Sequence, residues 1–375
     1  MIPRMIEERI RKEISTGRKA VILLGARQVG KTTLLRSLFP EGSDALWLNG
    51  DEINTRALLT AQSVDQLRAI IGKRDIVVID EAQRITDIGV VLKLIIDHMP
   101  QVKVVATGSS SLDLASKTSE ALTGRKKQIT LYPISFAEMA GHHGLLSASN
   151  LLPHRLVYGC YPDIVNTLGE EKQLLQELTD SYLYKDILAL DLIKKSEQLT
   201  RLLRALAFQI GSQVSYTELG QLCGLDSKTV EKYITVLELT FVVFRLRSYS
   251  RNQRNELKKS RKIYFYDNGI RNALIADFRP IALRDDVGML WENFLISERL
   301  KRNAYAQSYA NSWFWRTQAQ QEIDYIEEWD GRLWAYEFKW IPAAKAKQPR
   351  AFMQAYPGSS FSVIHRENYA DFLLP

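Results

Sequence analysis

The feature that most constrains this chain is the run Gly25-Ala26-Arg27-Gln28-Val29-Gly30-Lys31-Thr32, which has the form G-x-x-x-x-G-K-[ST]. It follows an apolar stretch at residues 20–24 and opens a helical pattern at 32–39, the strand, loop and helix context that such a run requires. Glycines let the backbone close around phosphate oxygens, and the amides at the start of the helix point at that anion. The flanking sequence agrees with a parallel sheet. Runs at 46–48, 76–79 and 102–106 are short, continuous and rich in Val, Ile and Leu, as strands covered on both faces are. Helical segments at 54–71 and 88–98 separate them, which gives a doubly wound α/β pattern.

The chemistry expected of the loop follows from its residues. Gly25, Ala26, Arg27, Gln28, Val29, Gly30, Lys31, Thr32 and Thr33 form the cradle. Lys31 should reach the β- and γ-phosphates, and Thr32 should place its hydroxyl on Mg²⁺. The strand at 76–79 delivers a carboxylate pair, Asp80 to hold the magnesium shell and Glu81 to polarise the attacking water. One strand, 46–48, lies between loop and pair, an arrangement that resembles the additional-strand (AAA/RecA-like) ATPase branch and favours hydrolysis over transfer to a metabolite. Where the strand 102–106 ends, Thr107 or Ser109 is the candidate to lie between water and γ-phosphate, and either is equally a helix cap. Arg125 is a candidate to stabilise transferred charge, in cis or, in a homo-oligomer, in trans; it is equally a surface arginine before the strand 128–131.

Taken together, Leu24 through Thr33, Ile79-Asp80-Glu81-Ala82-Gln83-Arg84, Thr107-Gly108-Ser109-Ser110 and Tyr132-Pro133-Ile134-Ser135-Phe136-Ala137-Glu138 resemble the prokaryotic AAA-type ATP-binding proteins close to the archaeal-type ATPases. Their chains usually end in a domain of unknown function with a nuclease-like core. Gly159-Cys160-Tyr161-Pro162 and Tyr184-Lys185-Asp186-Ile187 are similar to that family's linker signatures, with Cys160 where a glycine is expected. The resemblance implies binding and hydrolysis of ATP. The expected organisation is an ATPase domain at 1–140, a helical linker or lid at 141–198, a winged helix-turn-helix with a basic stretch at 199–262, and a restriction-endonuclease-like α/β domain at 263–375.

Charge points to a polyanionic partner. Lys plus Arg is 50 and Asp plus Glu is 43, for a net charge of +7. Residues 245–262 hold eight basic residues against Glu256 alone, so this one stretch carries an excess equal to that of the whole chain. It follows a helix-turn-helix spacing, 217–223 and 227–239 about Gly224-Leu225-Asp226, with Leu219, Leu222, Leu225, Val230, Ile234 and Leu237 as its small core. Ser227, Lys228, Thr229 and Lys232 would enter a major groove, the run 241–246 would be a wing strand, and Arg247, Arg251, Arg254, Lys258 and Lys259 would meet phosphates. DNA is favoured over protein docking. With 46% hydrophobic and 25% charged residues the chain is neither disordered nor fibrous. Two cysteines cannot build a disulfide framework, no stretch is long and apolar enough for a membrane, and the first residues lack a signal-peptide core; a cytoplasmic protein is expected.

Near the end, segments 322–329 and 332–340 flank Asp330-Gly331, a favoured two-residue hairpin turn. Pairing Trp329 with Arg332 sets Asp324 opposite Glu337 and Glu322 opposite Lys339. Carboxylates directly opposite, with Cβ atoms about 4.5–5.5 Å apart, repel unless something neutralises them. Asp followed by Glu-x-Lys resembles the core of restriction-enzyme-like nucleases. That resemblance implies Asp324 and Glu337 as ligands of Mg²⁺ or Mn²⁺, Lys339 as charge stabiliser or water activator, and Glu292 in support. Trp313, Phe314 and Trp315 read as strand core, and His142 and His143 as loop residues. Two functions are open: ATP turnover with metal-dependent DNA cleavage, or a nucleotide-gated switch whose last domain only docks DNA or protein.

Overall fold

The computed structural model describes residues 2–60, 62–109, 122–180, 196–249, 260–317, 319–343 and 348–375. Ser110, the Tyr184-to-Ile187 signature, Arg251, Arg254, Lys258 and Lys259 lie outside them. The chain divides into two compact units, Met1–Pro133 with Leu239–Phe241, and Ile134–Glu238 with Val242–Pro375.

In the first unit the order is α1 (Glu7–Thr16), β1 (Ala20–Leu24), α2 (Lys31–Leu38), β2 (Ala45–Asn49), α3 (Ile53–Leu59), α4 (Val64–Ile71), β3 (Ile76–Asp80), α5 (Ile88–His98), β4 (Lys103–Gly108) and β5 (Lys126–Thr130). The sheet runs β2-β3-β4-β1-β5 and every pairing is parallel. All five residues of β1 are buried, as its unbroken apolar sequence requires of a strand covered on both faces. Ile22, Ile79 and Ala106 of the strands pack with Leu67 of α4 and Leu92 and Ile95 of α5. Residues 54–71, expected as one helix, are two. The second start is set by a capping box: Ser63 Oγ accepts from Gln66 N at 3.3 Å, and Ser63 N donates to Gln66 Oε1 at 2.8 Å.

The second unit continues with α6 (Phe136–His143), α7 (Leu145–Asn150), α8 (Leu152–Tyr158), α9 (Pro162–Asn166), α10 (Glu171–Leu178), α11 (Ser196–Phe208), β6 (Gln213–Val214), α12 (Tyr216–Cys223), α13 (Ser227–Leu239), β7 (Val243–Ser248) and β8 (Arg261–Phe265). Then come α14 (Asn268–Leu274), α15 (Val287–Tyr305), β9 (Asn311–Arg316), β10 (Glu322–Trp329), β11 (Arg332–Phe338), α16 (Arg350–Ala355), β12 (Ser360–Ile364) and α17 (Tyr369–Leu373). Its seven strands form one sheet, β12-β11-β10-β9-β7-β8-β6. The sheet is therefore continuous across position 262, where the sequence suggests a domain boundary. His142 and His143 are in the last turn of α6 rather than in a loop.

Local chemistry explains several elements. Asp330 and Gly331 have φ of 49° and 71°, both left-handed, as a type I′ turn demands, and the expected register holds from Trp329↔Arg332 to Tyr325↔Tyr336. Phe314 and Trp315 are buried in the sheet core, as expected. Gly159, φ 72°, makes room for a buried carboxylate, since a Cβ there would lie 1.9 Å from Asp267 Oδ1. Asp267 accepts from Cys160 N at 2.7 Å and Gly269 N at 2.8 Å, which ties the 159–162 turn to the start of α14. Burial pushes the Cys160 thiol up to about 12, so it is inert.

Leu222 is 58% exposed and does not belong to the helix-turn-helix core; Leu219, Gly220 and Cys223 form the buried face of α12. The reason is the turn. Leu225 N donates to Gly220 O at 2.8 Å, and the Leu225 carbonyl folds so close over Gly220 that a Cβ there would lie 2.5 Å away. Helix propensity alone favours Gly220→Ala by about 1 kcal/mol. The clash with backbone reverses the sign, so chemical denaturation of Gly220→Ala should report a loss of about 1–3 kcal/mol. An unchanged or higher midpoint would contradict this packing.

Candidate nucleotide site and the acidic cluster of the second unit

Because β1, β3 and β4 are parallel, the segments that leave their carboxyl ends converge: the loop 25–30, Glu81 onward, and Ser109. The loop bends through Gln28 and Gly30, with φ of 59° and 91°, and Gly30 caps α2. Gly25 is required because a Cβ there would meet Leu131 O at 2.2 Å. The first turn of α2 presents N–H groups that have no carbonyl four residues back to accept them. Lys31 is buried and folds over the loop, its Nζ donating to Gly25 O at 2.9 Å and Ala26 O at 2.8 Å. Removal from water, opposed by the nearby Glu81 and Asp80 charges, lowers its pKa to about 8.

Asp80 joins two hydroxyls. Thr32 Oγ1 donates to its Oδ2 at 2.8 Å, and Thr107 Oγ1 donates to its Oδ1. A hydroxyl and a carboxylate side by side at the helix start are the hard oxygen donors that Mg²⁺ takes, so Thr32 and Asp80 fit that ion. Thr107 is wholly buried and also accepts from Glu81 N at 3.0 Å. Its hydroxyl therefore holds both members of the carboxylate pair. Glu81 has the left-handed φ of 48°, and its Oε2 accepts from Gln83 Nε2 at 2.5 Å. Gln83 Nε2 also reaches Ser109 Oγ, at 3.1 Å. Gln83, a side chain to which sequence reasoning gave no role although it stands in the quoted run 79–84, thus links Ser109 to Glu81.

Two arginines change places in importance. Arg125 sits at the amino end of β5, where its carbonyl accepts from Ala20 N at 2.9 Å and its Nε meets Asp97 Oδ1 at 2.7 Å. The phosphate loop leaves the other end of β1, so Arg125 does not serve it in cis. Arg4, which the sequence did not single out, is buried and donates to Val29 O at 2.8 Å and to Tyr132 O at 2.5 Å, fixing the loop from behind.

In the second unit, α13 begins at a cap formed by Asp226, whose Oδ1 accepts from Lys228 N at 3.0 Å and Thr229 N at 2.9 Å. Thr229 Oγ1 donates to Asp226 Oδ2 at 2.6 Å, so that hydroxyl serves the cap rather than a base edge. Lys228 and Lys232 are exposed. Beside them an open groove of about 380 Å³ is lined by Ser215, Tyr216, Ser227, Lys228, Glu231 and Arg261. The basic stretch is less free than its count implies. Arg245 is bonded to Glu238, Arg261 stacks 4.2 Å from the Tyr216 ring, and Lys262 is buried; Arg247 is exposed.

The carboxylates of the last strands meet cations already present. Lys262 Nζ lies 3.0 Å from Glu292 Oε1 and 2.6 Å from Glu322 Oε1, and Tyr264 OH donates to Glu292 Oε1 at 2.6 Å. Glu322 also faces Arg316, its register partner on β9, at 3.3 Å, whereas Lys339, expected opposite it, lies past the end of β11. Lys339 Nζ pairs with Glu337 Oε1 at 2.7 Å. Phe338 N donates to Asp324 Oδ2 at 2.8 Å, and desolvation, then Glu292 and Glu337, push the Asp324 carboxyl well above the usual range. Among the described residues no group of three or more His, Cys, Asp or Glu is arranged to hold a metal ion. Asp324, Glu337 and Glu292 as they stand do not fit the divalent ion that the nuclease resemblance implies.

Comparison with known proteins finds three matched segments. Residues 17–140 match an AAA domain, 149–280 a domain of unknown function, and 287–371 a second domain of unknown function. An uncharacterized protein of Mycobacterium tuberculosis is 28% identical over 324 residues, covering 85% of this chain and 70% of its own. One from Methanocaldococcus jannaschii is 25% identical over 356 residues, covering 81% and 73%. Among solved structures, Cdc6p from Pyrobaculum aerophilum is 12% identical, with a TM-score of 0.30 over 74% of this chain and 97% of its own. Among the described residues no helix is long and apolar enough to cross a membrane.

The Lys31 shift fixes a pH dependence. With its pKa lowered to about 8, the amine would be restored to the charged form by phosphate oxygens beside it. Nucleotide binding then takes up a proton above pH 8, and affinity should fall towards tenfold per pH unit from there to about pH 10. Titration calorimetry across this range should show the fall in the native chain and a flat profile in Lys31→Met; a flat native profile would refute the assignment.

Proposed function

We propose that this protein is a Mg²⁺-dependent ATPase whose nucleotide state gates a DNA-binding second unit. The observation that carries the reading is Asp80, held between the hydroxyls of Thr32 and Thr107, with buried Lys31 folded over the loop alongside. A triphosphate would take up the α2 amides and replace the loop carbonyls as partner of the Lys31 ammonium. Mg²⁺ held by Thr32 and the Asp80 shell would neutralise charge on the β- and γ-phosphate oxygens. Glu81, aimed by Gln83 and by the Thr107 bond to its own N–H, is the group to accept a proton from the attacking water. The AAA match over 17–140, which includes all six of these side chains, supports the reading.

For the second unit, the order α11, β6, α12, α13, β7, β8 with strands arranged β7-β8-β6 supports a winged helix. Its neighbours β9 to β12 are read as a restriction-endonuclease-like sheet attached to the wing strands. Of the expected DNA-contact cations, the described ones, Lys228, Lys232 and Arg247, are exposed and would meet phosphates. Docking without cleavage is preferred to cleavage, because the carboxylates of the last strands are matched to lysines and an arginine.

Two experiments test the reading. ATP turnover should fall at least about a hundredfold in Lys31→Ala and in Glu81→Gln, with nucleotide binding kept in Glu81→Gln; turnover that survives Lys31→Ala would refute the site. Anisotropy titrations of duplex DNA against salt should show weaker binding to every sequence in Lys228→Glu/Lys232→Glu, with a log–log slope shallower by about two. Equal affinity and slope would remove the helix-turn-helix from the interface.

A further inference from the structure

The carboxylates on β10, β11 and α15 form a cluster that ought to repel itself. Glu292, Glu322, Asp324 and Glu337 converge: Glu292, Asp324 and Glu322 all act on the Lys262 ammonium, and Glu292 and Glu337 act on the Asp324 carboxyl. Such a group needs a cation. The chain supplies one from a different element. Lys262 on β8 is 2% exposed, and its Nζ bridges Glu292 and Glu322 while lying 5.5 Å from the Phe314 ring centroid. Tyr264, two residues on and thus on the same face of β8, donates to the same Glu292 oxygen.

We propose that Lys262 is a resident counter-ion that takes the place of a divalent metal, so that this cluster is a metal-free, non-cleaving version of the nuclease-like centre. The inference stands independently of ATP turnover in the first unit. Three of the four carboxylates have cations without any added ion: Glu292, Glu322 and Glu337 are met by Lys262, Arg316 and Lys339, and desolvation, then Glu292 and Glu337, push the fourth carboxyl, Asp324, well above the usual range. Lys262 is fixed to a central strand, paired across it with Leu246 and Gln213, so its ammonium is always present at the site, whereas Mn²⁺ or Mg²⁺ has to displace it and leave a buried lysine unpaired. The ammonium also engages two carboxylate oxygens that an oxygen-liganded ion would need as ligands.

Manganese binding to the nucleotide-free full chain, followed by the paramagnetic resonance of free Mn²⁺, tests this. The native chain and Asp324→Asn should take up the same number of ions. Lys262→Met, which opens the cluster, should gain one Mn²⁺ per chain, and Lys262→Met/Asp324→Asn should lose it again. The inference is overturned if Asp324→Asn removes an ion that the native chain binds, or if folded Lys262→Met gains none. Should Lys262→Met fail to fold by circular dichroism, the comparison of the native chain with Asp324→Asn decides alone: equal uptake upholds the inference and a lost ion rejects it.

Discussion

One carboxylate organises the first unit. Asp80 is the last residue of β3, and its two oxygens accept hydroxyls from the helix that follows β1 and from the end of β4. The bonds cross the two strand boundaries of the order β3-β4-β1, so they require all three strands to be parallel and in register. A slip of one residue in β3 would turn Asp80 to the opposite face and leave Thr107 buried without a partner. The apolar runs supply the sheet, and this polar chain fixes where its edge must lie.

Much of the site was legible because it is local. A glycine-lysine-threonine loop and a carboxylate pair after a hydrophobic strand have meaning at short range, and the Asp330-Gly331 turn sets its own register. What was not legible depends on long-range contact. Arg4 lies 25 residues before the carbonyl it holds and 128 before another. Lys262 meets Glu292 across 30 residues. Nothing in the neighbourhood of either residue in sequence announces these partners. Likewise the split at Ser63 is written in the Ser-x-x-Gln spacing, but amphipathic periodicity on both sides obscures it.

The basic stretch is the clearest case in which counting charge differs from locating it. Arg245, Arg261 and Lys262 contribute to the excess, yet each is engaged within the fold: with Glu238, with the Tyr216 ring and Glu231, and with Glu292 and Glu322. Formal charge is additive along a sequence, but the field outside a protein depends on which charges remain in water. Among the described basic residues of the stretch, Arg247 is the one left exposed.

The union of Gly159 with Asp267 has an evolutionary corollary. A carboxylate oxygen occupies the volume in which any side chain at 159 would begin, while that same carboxylate fixes the amide of residue 160. Neither position can drift alone. Across descendants of a common ancestor, enlargement at the first should be accompanied by shortening at the second, so that these two sites, more than a hundred positions apart, exchange substitutions as a correlated pair.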